Sequence, residues 1–175
     1  MVTMGLDASS TAVGYSVFDG TNLIDYGCFK PKGNDWRERI KQFAPFIKSK
    51  VIEHQVDKVI LEDVPLMGRQ MKTLVILGAV QGMLIGIFGV MKVPVEFVLP
   101  SAWRSPIGLF DGTKKGTLRN EMKRKSVEKA NKIFGLELKW VSPSSTKNDD
   151  DISDAILVAY SQISKVHFAK DPIKE

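Results

Sequence analysis

A chain of 175 residues that is 43% hydrophobic has the size and apolar content of one domain with a real core. Its one cysteine, Cys28, excludes an intramolecular disulfide, and no N-terminal stretch joins basic residues to a hydrophobic signal segment, so a cytoplasmic protein is expected. The net charge of +5 is too mild to establish a nucleic-acid partner, and the distribution of charge carries more than its sum.

Residues 2–8 (VTMGLDA) form a short apolar run holding one acid, and 14–20 (GYSVFDG) alternate like a strand before the turn signal Asp19-Gly20. Residues 23–31 complete an antiparallel meander. Trp36, Ile40, Phe43, Ile47 and Val51 recur at helical spacing within 35–54, with Pro45 expected as a kink or break. Residues 56–64 (VDKVILEDV) read as a fourth strand, apolar at its centre as if covered on both faces. Residues 74–91 are apolar on every side with Gln81 as the strongly polar exception. That segment is barely long enough to span a bilayer and is expected as a helix buried inside protein, with no membrane. A fifth strand (94–100) precedes SAWRSPIGLFDGTKKG, whose Pro, Gly and Asp content reads as a long loop. A basic helix then spans about 117–134, and a linker leads to a last helix over about 149–168. The order of elements implies an α/β fold, a five-stranded mixed sheet of three antiparallel strands then two parallel ones, flanked by helices.

Acids stand where this pattern does not ask for them. Asp7 and Glu62 each end an apolar strand, and Asp151 and Asp154, three apart, share one face at the start of the last helix. If strands one and four are parallel neighbours, Asp7 and Glu62 lie side by side at strand C-termini, a common ligand position in α/β sheets. Two unit charges 4 Å apart repel by about 4 kcal/mol at an effective dielectric of 20, and divalent cations reverse that sign. Carboxylates with no supporting His or Cys favour Mg²⁺, or Mn²⁺, over zinc. A pair of such ions about 3.5–4 Å apart can hydrolyse a phosphodiester. The plain alternative for each acid is a solvated strand end or a helix cap. Asp149 is expected to supply the cap. His54 and His167 are expected in surface roles.

Eight basic residues, Lys114, Lys115, Arg119, Lys123, Arg124, Lys125, Lys129 and Lys132, face two acids, Glu121 and Glu128, between 114 and 132. Such a run is often a solvated helix face; beside a carboxylate site it suits phosphate contacts that weaken with salt.

Taken together, GLDASSTAVGYSVFD, VILEDV, LGAVQGMLIG and DISDAILVA resemble, in order and spacing, the RuvC-type Holliday junction resolvases of the RNase H-like superfamily, particularly their shorter phage relatives. The resemblance covers nearly the whole chain and implies one nuclease domain over residues 1–175. It implies metal-binding, catalytic acids at Asp7, Glu62, Asp151 and Asp154, with Asp150 as second choice for Asp151, and phosphate contacts from Arg104 and from Lys123 or Lys125. It also implies a homodimer that nicks a four-way junction symmetrically with Mg²⁺. The dimer helix would be the one after the Glu strand, where Gly78, Gly82 and Gly86 allow close packing, either against a second subunit or against the sheet. The aromatic wedge of some relatives has no counterpart in residues 62–69. Rival readings are a ribonuclease H or flap nuclease on the same fold, an ATPase domain of the actin and sugar-kinase type, and an inert DNA-binding module.

Overall fold

Alternation along the strands sorts the molecule into layers. A computed structural model describes residues 1–64, 70–110 and 118–168, without the side chains of 165–168 and hence of His167. Strands β1 (Val2–Ala8), β2 (Val13–Asp19) and β3 (Asn22–Phe29) form an antiparallel meander; β4 (Lys58–Glu62) and β5 (Val95–Val98) extend it in parallel, giving the order β3-β2-β1-β4-β5. This is the mixed sheet expected from the order of elements.

Met4, Leu6, Val59 and Leu61 point to one face, where they pack with Phe43, Ile47 and Val51 of α2 (Phe43–His54) and with Val80, Leu84 and Phe88 of α3 (Met71–Met91). Residues of opposite parity face the last helix, α6 (Asp150–Phe168). Two glycines seat it. A β-carbon on Gly5 would stand 2.2 Å from the Ala155 carbonyl oxygen, and one on Gly14 only 1.9 Å from that of Asp151. Ser16 Oγ donates to the Ala155 carbonyl at 2.8 Å and fixes the same contact. The first turns of α6 therefore lie directly on β1 and β2.

Helix α1 (Trp36–Lys41) ends at Gln42, so the expected break falls before Pro45, not at it. Pro45 is the third residue of α2, within the first turn, where a backbone N–H has no intrahelical acceptor to lose.

The expectation of a helix buried on all sides is overturned. In α3 only 17% of the apolar window is covered, although its length and composition would suit a membrane span. Val80, Leu84 and Phe88 make one inward stripe, while Met71, Val75, Ile85 and Val90 are exposed. The helix packs on one face of a sheet at the rim of the chain, and nothing among the described residues covers its other side. Added β-carbons at Gly78, Gly82 and Gly86 would meet nothing within 4 Å, so these glycines do not serve packing on the sheet.

The presumed loop after β5 also departs from expectation. Residues Pro100–Arg104 form a short helix, α4, and Trp103 is fully buried among Ile60, Val98, Met122, Leu157 and Val158. Ile107 and Leu109 join the same cluster. Helix α5 (Arg119–Phe134) packs beside α6. The following linker is held by paired bonds between Asn131 and Leu138, and by Asn148, which accepts from Val141 N and donates to the Ser142 carbonyl. Asp149 takes part in that anchoring: its carboxylate accepts from Lys139 N at 2.8 Å, where a cap on α6 was expected.

Candidate active site

The parity that buries Leu6 and Leu61 on one face sends Asp7 and Glu62 to the other. Leu6 pairs with Leu61 across parallel β1 and β4, so the two acids are the next residues of adjacent strands. Over them lies the start of α6, bringing Asp150, Asp151 and Asp154.

Each carboxylate meets a different environment. Glu62 accepts from the indole N–H of Trp103 at 2.7 Å and from Arg104 Nη2 at 3.2 Å. Asp154, 4% exposed, accepts from Ser126 Oγ and from Arg104 Nη2 at 3.3 Å. Ser126 and Ser153 lie 2.9 Å apart through their hydroxyls. Asp150, 7% exposed, is paired with Lys123. Asp7 and Asp151 have no hydrogen-bond or ion-pair partner among the described residues.

Electrostatics follow from that asymmetry. Loss of hydration drives the Asp7 carboxyl well above the usual carboxylate range, and repulsion from Glu62, Asp154 and Asp151 adds to it, with Lys123 opposing. Burial also raises Asp154, although Arg104, Ser126 and Lys123 pull the other way. Asp151 is among the acids whose charge repels Asp7, while Asp150 is paired with Lys123.

The basic residues divide as well. Lys123 joins the carboxylates through Asp150, and Arg104 lies between Glu62 and Asp154. Arg124 is instead committed to Glu121 at 3.0 Å and to Glu128 on its own helix. Arg119 is exposed at the start of α5, and Lys125 lies nearly two turns further on, half-buried. Lys114 and Lys115 lie outside the described residues, as do residues 65–69 of the segment that lacks an aromatic wedge.

Trp103 and Ser126 are site residues that reading the sequence missed. A signal existed for Trp103, since Pro100 at a first helical position announces a short helix carrying both Trp103 and Arg104. None existed for Ser126, whose contact depends on how α5 meets α6.

The family model for the crossover junction endodeoxyribonuclease RuvC matches residues 3–109. The chain belongs to the RuvC family. That matched segment contains Asp7, Glu62, Trp103 and Arg104, and the activity class of the family is that of an endonuclease resolving DNA crossovers. The RuvC-type fold extends beyond it. A Thermus thermophilus RuvC in complex with Holliday junction substrate superposes with a TM-score of 0.72 at 17% identity over 96% of each chain. The fowlpox virus resolvase, in complex with substrate Holliday junction DNA, gives 0.57 at 15% identity over 95% of this chain and 99% of that one. The yeast mitochondrial Holliday junction resolvase gives 0.59 at 10% identity, covering 92% and 77%. No curated protein sequence matches the chain.

Proposed function

We propose that this chain, folded as one nuclease domain, resolves four-way DNA junctions as a homodimer, using divalent cations held by Asp7, Glu62, Asp151 and Asp154. The observation that carries the reading is the pair of carboxylates, Asp7 and Asp151, that have no hydrogen-bond or ion-pair partner among the described residues, beside two further acids on one face of the sheet. An all-oxygen donor set whose charge Arg104 offsets only in part fits hard ions, so Mg²⁺ is the expected cofactor, with Mn²⁺ able to substitute. Two such ions, when bound, supply an activated water and neutralise the leaving oxygen of the scissile phosphodiester.

The protein's own groups orient the set. The Trp103 N–H fixes one oxygen of Glu62 and Ser126 fixes Asp154. Lys123 holds Asp150 to one side, which supports Asp151 as the ligand and Asp150 as its neighbour. Arg119 and Lys125 extend a basic surface from α5 toward DNA phosphates, a sequence-independent affinity suited to a branched substrate. The same reading puts the enzyme with DNA in the cytoplasm of a bacterial or phage-infected cell.

The open side of α3 supports the homodimer. Met71, Val75, Gly78, Gly82, Ile85 and Gly89 are all exposed and recur at alternating spacings of four and three, the pattern of a coiled-coil seam. Each helical glycine costs nearly 1 kcal/mol relative to alanine, which close helix approach between two copies would offset. Sedimentation should show a dimer, and Gly82→Leu, which places bulk on that seam without touching the sheet, should shift it to monomer.

The decisive experiment compares a synthetic four-way junction with flap, fork and RNA:DNA hybrid across Mg²⁺ and Mn²⁺. Cleavage of the junction, lost in Asp7→Asn and Glu62→Gln while DNA binding persists, is the expected result. Intact junctions together with degraded hybrids would move the chain to a ribonuclease H activity.

A further inference from the structure

Arg104 stands where a cation is needed. Its Nη2 lies 3.2 Å from Glu62 and 3.3 Å from Asp154, two acids delivered by different elements, and the guanidinium carbon lies 4.7 Å from the centroid of the Trp103 ring. The Trp103 N–H is itself bonded to Glu62. Helix α4 thus reaches the site twice, with an indole that orients Glu62 and a guanidinium that bridges Glu62 to an acid of α6. An arginine on an open DNA surface would project into solvent, whereas this side chain is 22% exposed and spans acids 92 positions apart in sequence.

We infer that Arg104 is the resident counter-cation of the metal-free site, bridging Glu62 and Asp154 from the face of Trp103 and withdrawing from both acids when divalent ions bind. This rests on the reading of the carboxylates as a metal site. The physical reason is charge. Without a cation, Asp7, Glu62, Asp151 and Asp154 would face one another in a partly desolvated space, and the repulsion would push the start of α6 off the sheet. A guanidinium has the planar fork to neutralise two carboxylates at once, and it cannot lose its proton. It also competes for the oxygens that metal coordination requires. The chain therefore keeps its site assembled and closed to stray ions, and the released guanidinium becomes available to a DNA phosphate.

The test uses the full-length protein with Trp36→Phe and Trp140→Phe, leaving Trp103 as the reporter. Titration with Mn²⁺, without DNA, should change the Trp103 fluorescence as Arg104 leaves its ring, and most of that change should vanish in Arg104→Gln. Calorimetry should give Arg104→Gln roughly fivefold tighter Mn²⁺ binding than the parent, since no resident cation has to be displaced. Arg104→Lys, which keeps the charge without the flat group, should lie between them. Melting adds a sign that a merely structural role lacks: Arg104→Gln should be less stable than the parent in EDTA and recover in Mg²⁺. A fluorescence change of equal size in Arg104→Gln, unchanged or weaker Mn²⁺ binding, or a stability loss that Mg²⁺ does not repair would overturn the inference and leave the metal site standing. No Mn²⁺ binding by the parent protein would overturn both.

Discussion

Two groups of acids in this molecule look alike as lists of ligands and behave in opposite ways. On β3 and α2, the ligand atoms of Asp25, Glu53 and His54 lie within 4.8 Å of one another, a spacing no other such triple among the described residues achieves. Yet this group already holds its cation. Lys50 Nζ stands 2.8 Å from Asp25 and 3.1 Å from Glu53, and His54 Nε2 stands 2.9 Å from Asp25. Burial pushes the Asp25 carboxyl up, but hydrogen bonds from Lys50 and His54 outweigh it and hold Asp25 below its usual range. Asp7 is driven the other way, by burial and by its acidic neighbours. Proximity of acids thus marks a metal site less well than how far the protein's own cations already offset their charge. His54, expected in a plain surface role, is half-buried and serves this ion-pair network.

The largest test of the contrast is catalytic. Asp7→Asn should reduce junction cleavage by on the order of a hundredfold or more, and Asp25→Asn should leave it unchanged under the same conditions. A strong cleavage defect in Asp25→Asn, with the fold intact, would mean that the compensated cluster takes part in the chemistry.

Stability should reverse the order. Removing one partner of a half-buried charge pair leaves the other without its bonds, so Asp25→Asn should cost about 1–3 kcal/mol. For a domain of this size that lowers the melting temperature by about 2–4 °C for each kcal/mol. In EDTA, Asp7→Asn should stabilise, because it removes a charge that burial and three acids disfavour.

The same contrast fixes two opposite pH slopes. Above the ordinary carboxylate value of 3.8, native Asp7 binds more proton than the unfolded chain does, so metal-free stability falls as pH rises through its raised folded value. Asp154 adds to that slope. For Asp25 the folded value is lowered, so its contribution is present above 3.8 and lost as pH falls below it. Urea midpoints from about pH 4 to about pH 8 in EDTA should therefore decline with pH in the parent chain and flatten in Asp7→Asn. Mg²⁺ should flatten them too, since it favours the ionised acids.

One side of this contrast, the acids around Asp7, was legible in the sequence. Strand parity sets Asp7 and Glu62 side by side once β1 and β4 are parallel neighbours, as they are, because a two-residue period leaves each side chain only two faces. The spacing of Asp151 and Asp154 likewise needed only helix geometry. What stayed hidden depends on which surfaces meet. Composition showed that α3 was apolar all round but carried no information about what covers it. Pro and Gly made residues 101–116 look like loop, although the burial of Trp103 organises their first part as a helix. The Lys50–Asp25–His54 network joins α2 to β3 across 25 and 29 positions, with no periodic pattern to announce it.

The smallest expected effect reads the field of the site from outside it. Cys28 on β3 pairs with Gly14, which pairs with Asp7, so the thiol lies two strands away from that acid along one row of the sheet. Burial foremost, together with the negative charges of Asp151, Asp7 and Asp149 acting against Lys30, raises the thiol to about 11. At neutral pH only about one thiol in ten thousand is then ionised, and alkylation by iodoacetamide should be slow. Divalent cations neutralising Asp7 and Asp151 would weaken two of those contributions and leave burial unchanged. Mg²⁺ should therefore speed alkylation modestly, by roughly twofold, and less in Asp7→Asn. Asp25→Asn should respond to Mg²⁺ like the parent chain, because its cluster is absent from the charges acting on Cys28. An Mg²⁺ response lost in Asp25→Asn but kept in Asp7→Asn would assign the ion to the wrong cluster and reverse the comparison.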